Sequence, residues 1–250
     1  MNIKAHAKIN SFLKITGHKN GYHTLLSRFL KVPNLYDTIS FVPQKCDSFT
    51  IEGFDNLPTE SNIIYKAYRA MNIDIDFFKY HKVVVEKNIP SGAGLGGGSS
   101  DAGAFMRLFN SVCGLNIPIE TLANIGSKIG ADVPFFVYDY NSANVSGFGE
   151  VVEPFDEGEE LDIEIYTPDI HCDTPLVYKT FRENLFDSID LDSFKDWREL
   201  TTKEVLSKVS AIEANDLYRA SLIAYPNLKD VATKEGWYFS GSGSSFFRIK

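Results

Sequence analysis

The chain has 250 residues, and its 33 Asp and Glu against 25 Lys and Arg give a net charge of −8. That balance speaks against a general nucleic-acid-binding surface, so no nucleic-acid partner is expected, although local basic pockets and a small anionic ligand stay possible. The length suffices to bury a substantial core, as one large domain or as two modest ones.

The opening residues MNIKAHAKIN lack the apolar centre of a signal peptide, and no apolar run approaches bilayer length. A soluble, cytoplasmic protein with no membrane partner is the expectation. Cys46, Cys113 and Cys172 are far apart and form no CxxC pair, so they suit reduced thiols better than a disulfide frame or a zinc site.

In the same opening segment, apolar Ile3, Ala5, Ala7 and Ile9 alternate with polar residues, the period of a half-buried strand. Lys8 and Asn10 then share a face. Asn20-Gly21 is a tight-turn dipeptide, with Tyr22 and His23 just beyond it. Asp37–Pro43, Ser48–Gly53 and His81–Lys87 read as further strands, and Asn62 can cap a helix over IIYKAYRAM.

The chain then enters PSGAGLGGGSSDAG, residues 90–103. Ala102, Phe105, Leu108, Phe109 and Val112 follow at helical spacing, and Gly114 offers a stop. Pro118–Ile129 predicts a second helix ending at Gly130, and Val133–Val137 a buried strand, with Asp132 at the junction. The acidic stretch Asp156–Glu160 is the candidate domain boundary. Beyond it LDIEIYTP predicts a strand, Pro175 to about Tyr225 a helix-rich stretch, and GWYFSGSGSSFFRI two short strands around a second Gly/Ser turn.

The glycine loop decides the chemistry. Gly92, Gly94 and Gly97 satisfy GxGxxG, yet Pro90 interrupts the approach and the expected acid is misplaced; a Walker A loop needs a lysine that is not there. A mere flexible linker need not run into a helix. What remains is a phosphate cradle of backbone N–H groups at the positive end of a helix, with Ser99 and Ser100 offering hydroxyls and a cap. Asp101 suits the same helix end electrostatically but would repel a phosphate unless it turns away or meets a cation; capping is the expected role, ahead of metal binding.

This loop resembles the central motif of the GHMP kinases, a family of small-molecule kinases. AHAKIN at 5–10, NGYHTL at 20–25, SNIIYKA at 61–67, GADVPFF at 130–136 and SGSGSSFF at 240–247 extend the resemblance over nearly the whole chain, to the branch acting on a cytidine diphosphate substrate. His6 stands where that branch more often has Pro. The resemblance implies an α+β, two-domain GHMP kinase fold: residues 1–155 like the second domain of ribosomal protein S5, residues 160–250 ferredoxin-like, and an active site between them. It implies transfer of the γ-phosphate of ATP, accompanied by Mg²⁺, to a tertiary 2-hydroxyl.

Carried over residue by residue, Lys8 and Asp132 become the catalytic pair. Pro90, Ser91, Gly92, Ala93, Gly94, Leu95, Gly96, Gly97, Gly98, Ser99 and Ser100, with Asn62, face ATP. Asn10, Tyr22, His23, Thr174, Tyr178, Gly241 and Gly243 face the cytidine substrate, Tyr22 and Tyr178 as opposing walls of a slot and His23 on the base edge. Without the resemblance, Asp132 suits a turn, Lys8 a solvated strand, the aromatics a core, Asn62 a helix cap and the glycines a hairpin. Another GHMP kinase and a catalytically silent nucleotide-binding regulator are the alternative readings. Neither metal ligands nor oligomeric state can be named from the sequence.

Overall fold

The structure, a computed structural model, describes residues 1–250 apart from Asn20, Asn56, Asp187, Ser188 and residues 232–235. The chain forms two compact units whose segments interleave. The first comprises Met1–Ala7, Val32–Ile89 and Gly96–Tyr140, the second Lys8–Lys31, Pro90–Leu95 and Asn141–Lys250. Two long strands, β1 (Asn2–Lys19) and β2 (Tyr22–Pro43), pair with each other and contribute to both units. The expected turn between them includes Asn20 and so lies outside the described residues; Gly21 has φ +84°.

In the first unit the end of β2 pairs antiparallel with β4 (His81–Glu86), Phe41 opposite Val83. The strand expected at Ser48–Gly53 is limited to β3 (Ile51–Glu52), parallel to β4. Four helices cover this part of the sheet: α1 (Ile63–Met71), α2 (Gly97–Val112), α3 (Ile119–Ser127) and α4 (Val133–Tyr138). Asn62 caps α1 as expected, its side chain accepting from the Ile64 N–H at 2.8 Å. The apolar stripe of α2 is buried in the core, where Phe109 and Phe105 pack 5.0 and 5.9 Å from Phe78 between ring centroids.

Two expectations fail here. Val133–Val137 is helix rather than strand. Pro134 lies in the first turn, where its fixed φ and missing N–H cost nothing, and the run is buried on every side, so periodicity could not separate the two states. Helix α2 also has no side-chain cap: Gly96 takes the cap position at φ +71°, while Ser100 donates to the His6 carbonyl at 2.6 Å and Asp101 lies within the helix.

In the second unit, Leu25–Leu30 of β2 pairs with β5 (Ser142–Gly147), which continues to β6 (Val151–Pro154). A separate sheet has the order β7 (Ile163–Tyr166), β9 (Phe246–Ile249), β8 (Tyr238–Phe239). The helix-rich stretch supplies α5 (Thr174–Asn184), α6 (Thr202–Leu206), α7 (Ala211–Ala214) and α8 (Asp216–Ala224). Among the described residues no helix is long and apolar enough to cross a membrane.

The acidic stretch Asp156–Glu160 falls inside this second unit. The Glu157 side chain is 6% exposed there: it pairs with fully buried Arg28 at 3.0 Å and accepts from Ser142 and from the Thr202 N–H and hydroxyl. Arg28 also donates to Asn144 at 2.8 Å and stands over the Phe155 ring. Such a guanidinium tolerates burial only because its donors are met. Glu157→Ala should therefore destabilise the protein by about 3 to 5 kcal/mol by leaving that charge unpaired. A urea midpoint at the parent value would show that Arg28 needs no carboxylate.

Candidate active site

The glycine loop is held by its carbonyls. Gly92, Ala93, Gly94 and Leu95 accept from the Cys172 N–H, the Ser245 N–H, the Ser240 hydroxyl and the Lys8 N–H, at 3.0 to 3.2 Å. Meanwhile the amides from Gly94 to Gly98 donate to none of the described residues. The unspent N–H groups of Gly96, Gly97 and Gly98 lead into a 16-residue helix of the first unit, an arrangement able to receive an anion.

The glycines divide into two sets. A Cβ on Gly92 would sit 2.1 Å from the His171 ring, and one on Gly94 would sit 2.3 Å from the Ser240 carbonyl oxygen, so these two serve packing within the second unit. Gly98 is open, with only Ile63 at 3.8 Å from its Cβ position. Gly241 and Gly243, expected to approach a ligand, also have positive φ, and a Cβ on Gly241 would stand 3.2 Å from Asn10 Oδ1.

Within the first unit three expected residues converge. A Cβ on Gly130 would lie 3.7 Å from Ser99 Oγ and 3.9 Å from Ile63 Cδ1, which places the Gly130–Asp132 turn beside the start of α2 and the capped end of α1. Asp132 precedes α4 but its side chain does not cap it. Asn62 is 1% exposed; with its Oδ1 spent on the cap, its Nδ2 has no partner among the described residues.

Within the second unit the alternation of β1 brings Lys8 and Asn10 together. The Lys8 ammonium is buried, donates to Asn10 Oδ1 at 2.6 Å and lies 4.6 Å from the Phe29 ring centroid. Asn10 is oriented in turn: its Nδ2 donates to Ser27 Oγ at 2.9 Å, and its N–H donates to Ser240 Oγ at 3.3 Å. Thr174 bonds to Ser242 at 2.8 Å between hydroxyls. Lys8, Asn10 and the Gly/Ser turn therefore form one hydrogen-bonded group.

The aromatics expected around a base make these contacts within the protein. Tyr178 stacks on His23, centroids 5.4 Å apart, whereas Tyr22 is 69% exposed and meets Phe148 edge-on at 5.9 Å. His23 also meets His18 and Phe181 edge-on. Burial first, then the neighbouring His18 and Arg182, hold its pKa below the ordinary histidine value, so the ring is neutral at pH 7. Its buried Nε2 has no partner among the described residues. A neutral imidazole with one spare nitrogen suits the polar edge of a base.

Sequence reasoning missed Ser27, His171, Ser240 and Ser242. The SGSGSS run singled out its glycines, but the serine hydroxyls make the bonds. Ser27 and His171 left no local signal, since their roles come from partners far away in the chain.

The model of the GHMP kinases N terminal domain matches residues 62–140. Curated relatives include the 4-diphosphocytidyl-2-C-methyl-D-erythritol kinases of a Sulfurovum species, 57% identical over 99% of this chain and 98% of theirs, and of Sulfurimonas denitrificans, 48% identical over 99% and 96%. A crystal structure of 4-(cytidine 5'-diphospho)-2C-methyl-D-erythritol kinase is 26% identical, with a TM-score of 0.75 over all of this chain and 90% of that one. Mevalonate kinase of Methanococcus jannaschii, at 13% identity and a TM-score of 0.62, shares the fold.

The two glycine sets should separate in stability. Gly94→Ala forces a Cβ against Ser240 at φ +73° and should cost at least about 1 to 3 kcal/mol. Gly98→Ala, in the first turn of α2, should be neutral or gain up to about 1 kcal/mol. Chemical denaturation of the two variants checks this; equal effects would refute the division.

Proposed function

We propose a division of labour among these residues on the premise that the chain belongs to the family of 4-diphosphocytidyl-2-C-methyl-D-erythritol kinases, which are GHMP kinases in fold. It is an ATP-dependent kinase that phosphorylates the 2-hydroxyl of 4-diphosphocytidyl-2-C-methyl-D-erythritol in non-mevalonate isoprenoid precursor synthesis. We take it to act in the cytoplasm.

The observation that carries the assignment of the nucleotide end is the loop with its carbonyls tied back and its amides unspent. These N–H groups and the positive end of α2 receive the ATP phosphates. The spare Nδ2 of Asn62, beside the first turn of α2, is the donor we assign to the nucleoside.

At the other end, the spare nitrogen of His23 reads the cytosine edge and Tyr178 offers an aromatic face. Exposed Tyr22 closes on the base from solvent. Gly241, Gly243 and Thr174 line the substrate diphosphate.

A tertiary alcohol attacks poorly. Asp132 orients the hydroxyl and accepts its proton, and Lys8, held in place by Asn10, neutralises charge that develops on the transferring group. A Mg²⁺ accompanying ATP would be carried largely by the phosphates. Asp132 is the carboxylate that would meet it, and the ion would draw off phosphate charge. Residues 1–155 and 160–250 remain the family-level division we propose.

In an ADP-release assay with the cytidine substrate, Asp132→Asn and Lys8→Met should each lower turnover by at least about a hundredfold, the scale of lost acid–base or charge-stabilising groups, with ATP affinity nearly unchanged. Near-normal turnover in either variant would remove that residue from the chemistry.

Tyr178→Ala should weaken binding of the cytidine substrate by roughly 5- to 150-fold, as expected from about 1 to 3 kcal/mol of base stacking, while sparing ATP. Equal damage to both ligands, or none to either, would return Tyr178 to a packing role.

A further inference from the structure

Asp101 presents a carboxylate one turn into the helix whose start should receive phosphate. It is fully buried. Its Oδ2 accepts from the Lys87 ammonium at 2.7 Å, and its Oδ1 has no partner among the described residues. The same ammonium bonds Asp37 Oδ2. Asp37 is also fully buried, and its Oδ1 accepts from the N–H groups of Asn88 at 2.5 Å and Ile89 at 2.8 Å, the residues that lead into the glycine loop. A Cβ on Gly97 would lie 3.0 Å from Ile89 and 3.7 Å from Lys87 Nζ. One ammonium thus joins β2, the lead-in to the loop and the first turns of α2.

The charges do not balance. Two carboxylates share one ammonium, and Asp37 is the better satisfied, with three donors against one. The charged groups acting on Asp101 are Lys87, just past β4, and Asp37, on β2. Burial is the largest influence, Lys87 opposes it and Asp37 reinforces it, which together push the Asp101 carboxyl up to about 7. With a proton on Asp101 the cluster is neutral; without it, the cluster carries one buried negative charge near the amides of the cradle.

We propose that Asp101 is a pH-responsive positioning residue of the nucleotide loop, clamped through Lys87 to Asp37, and that its ionisation opposes phosphate binding while its protonation favours it. The proposal rests on the reading of the loop as a phosphate cradle. By linkage, nucleotide binding near neutral pH draws a proton onto Asp101.

The probe is ADP, titrated calorimetrically into the parent and into Asp101→Asn at about pH 6 and about pH 8.5. The ionisation of ADP itself cancels in the comparison. Parent affinity should fall on the order of fivefold further than that of the variant across this range, the effect of one partly screened charge. Parallel profiles, including a uniform loss at every pH, would overturn the proposal.

Stability gives a second readout. A carboxyl whose folded pKa exceeds its unfolded value loses its stabilising contribution as pH rises from the unfolded value toward about 7. Asp101→Asn should therefore gain on the parent over that window; a constant difference counts against the clamp. If the variant fails to fold, carbon NMR of the parent Asp101 carboxyl still decides: its titration should move upward with ADP, and a midpoint indifferent to ADP overturns the proposal. Gly96→Val separates the premise. Undiminished ADP affinity in that variant would sink the cradle and the proposal with it, whereas lost affinity alongside parallel Asp101→Asn profiles would sink the proposal alone.

Discussion

Four consecutive carbonyls, from Gly92 to Leu95, are held by hydrogen bonds from β1 and from residues 172, 240 and 245. Backbone amides and carbonyls point in coupled directions, so fixing the oxygens of a short loop also limits where its N–H groups can turn. As a phosphate cradle the loop would need no basic side chain, because its donors come from backbone already held in place. That would resolve the oddity of an acidic chain, net charge −8, that handles a highly charged anion. Preorganisation matters more here than charge: a lysine-rich loop would attract phosphate but leave its ordering cost to be met on binding.

Satisfied carbonyls and spare donors recur among the residues proposed for the site. Asn62 divides its amide between a helix cap and an unspent Nδ2, and Asn10 uses both ends of its amide within a chain that runs from Lys8 to Ser27. Buried polar groups left unmet cost stability, so each that persists calls for a reason, and for Asn62 and His23 the proposed ligand contacts would supply it. His23 follows the same logic with one nitrogen. Asp101 is the exception in sign, an unspent acceptor rather than a donor.

Much of this was legible from local pattern. Alternation in residues 2–10 put Lys8 and Asn10 on one face, and Asn62 announced a cap because its side chain needs only an amide two residues on. The loop declared its helix through the stripe from Ala102 to Phe109. The failures share one cause. VPFFV carries no period once every face is buried, and the two-residue β3 is defined by its partner more than by its own sequence. Asp101 read as a helix-end acid because its partners, Lys87 and Asp37, are brought to it by the fold. Glu157, hidden in an acidic run, could be recognised as the mate of Arg28 only once the chain had folded. Glycines are ambiguous in a subtler way: positive φ and small size predict close approach, but not whether ligand or protein arrives.

Cys172 takes part in this arrangement through its backbone, donating its N–H to the Gly92 carbonyl, while its thiol lies 2% exposed with a pKa pushed up by burial to about 11. Only a thiolate alkylates readily, so in the folded protein this sulfur is doubly shielded, by access and by protonation. Cys46 and Cys113 are more accessible. With both replaced by serine, the chain carries a native chemical clock beside the loop: the rate at which Cys172 is labelled measures how often its surroundings open, without a foreign probe near the glycines.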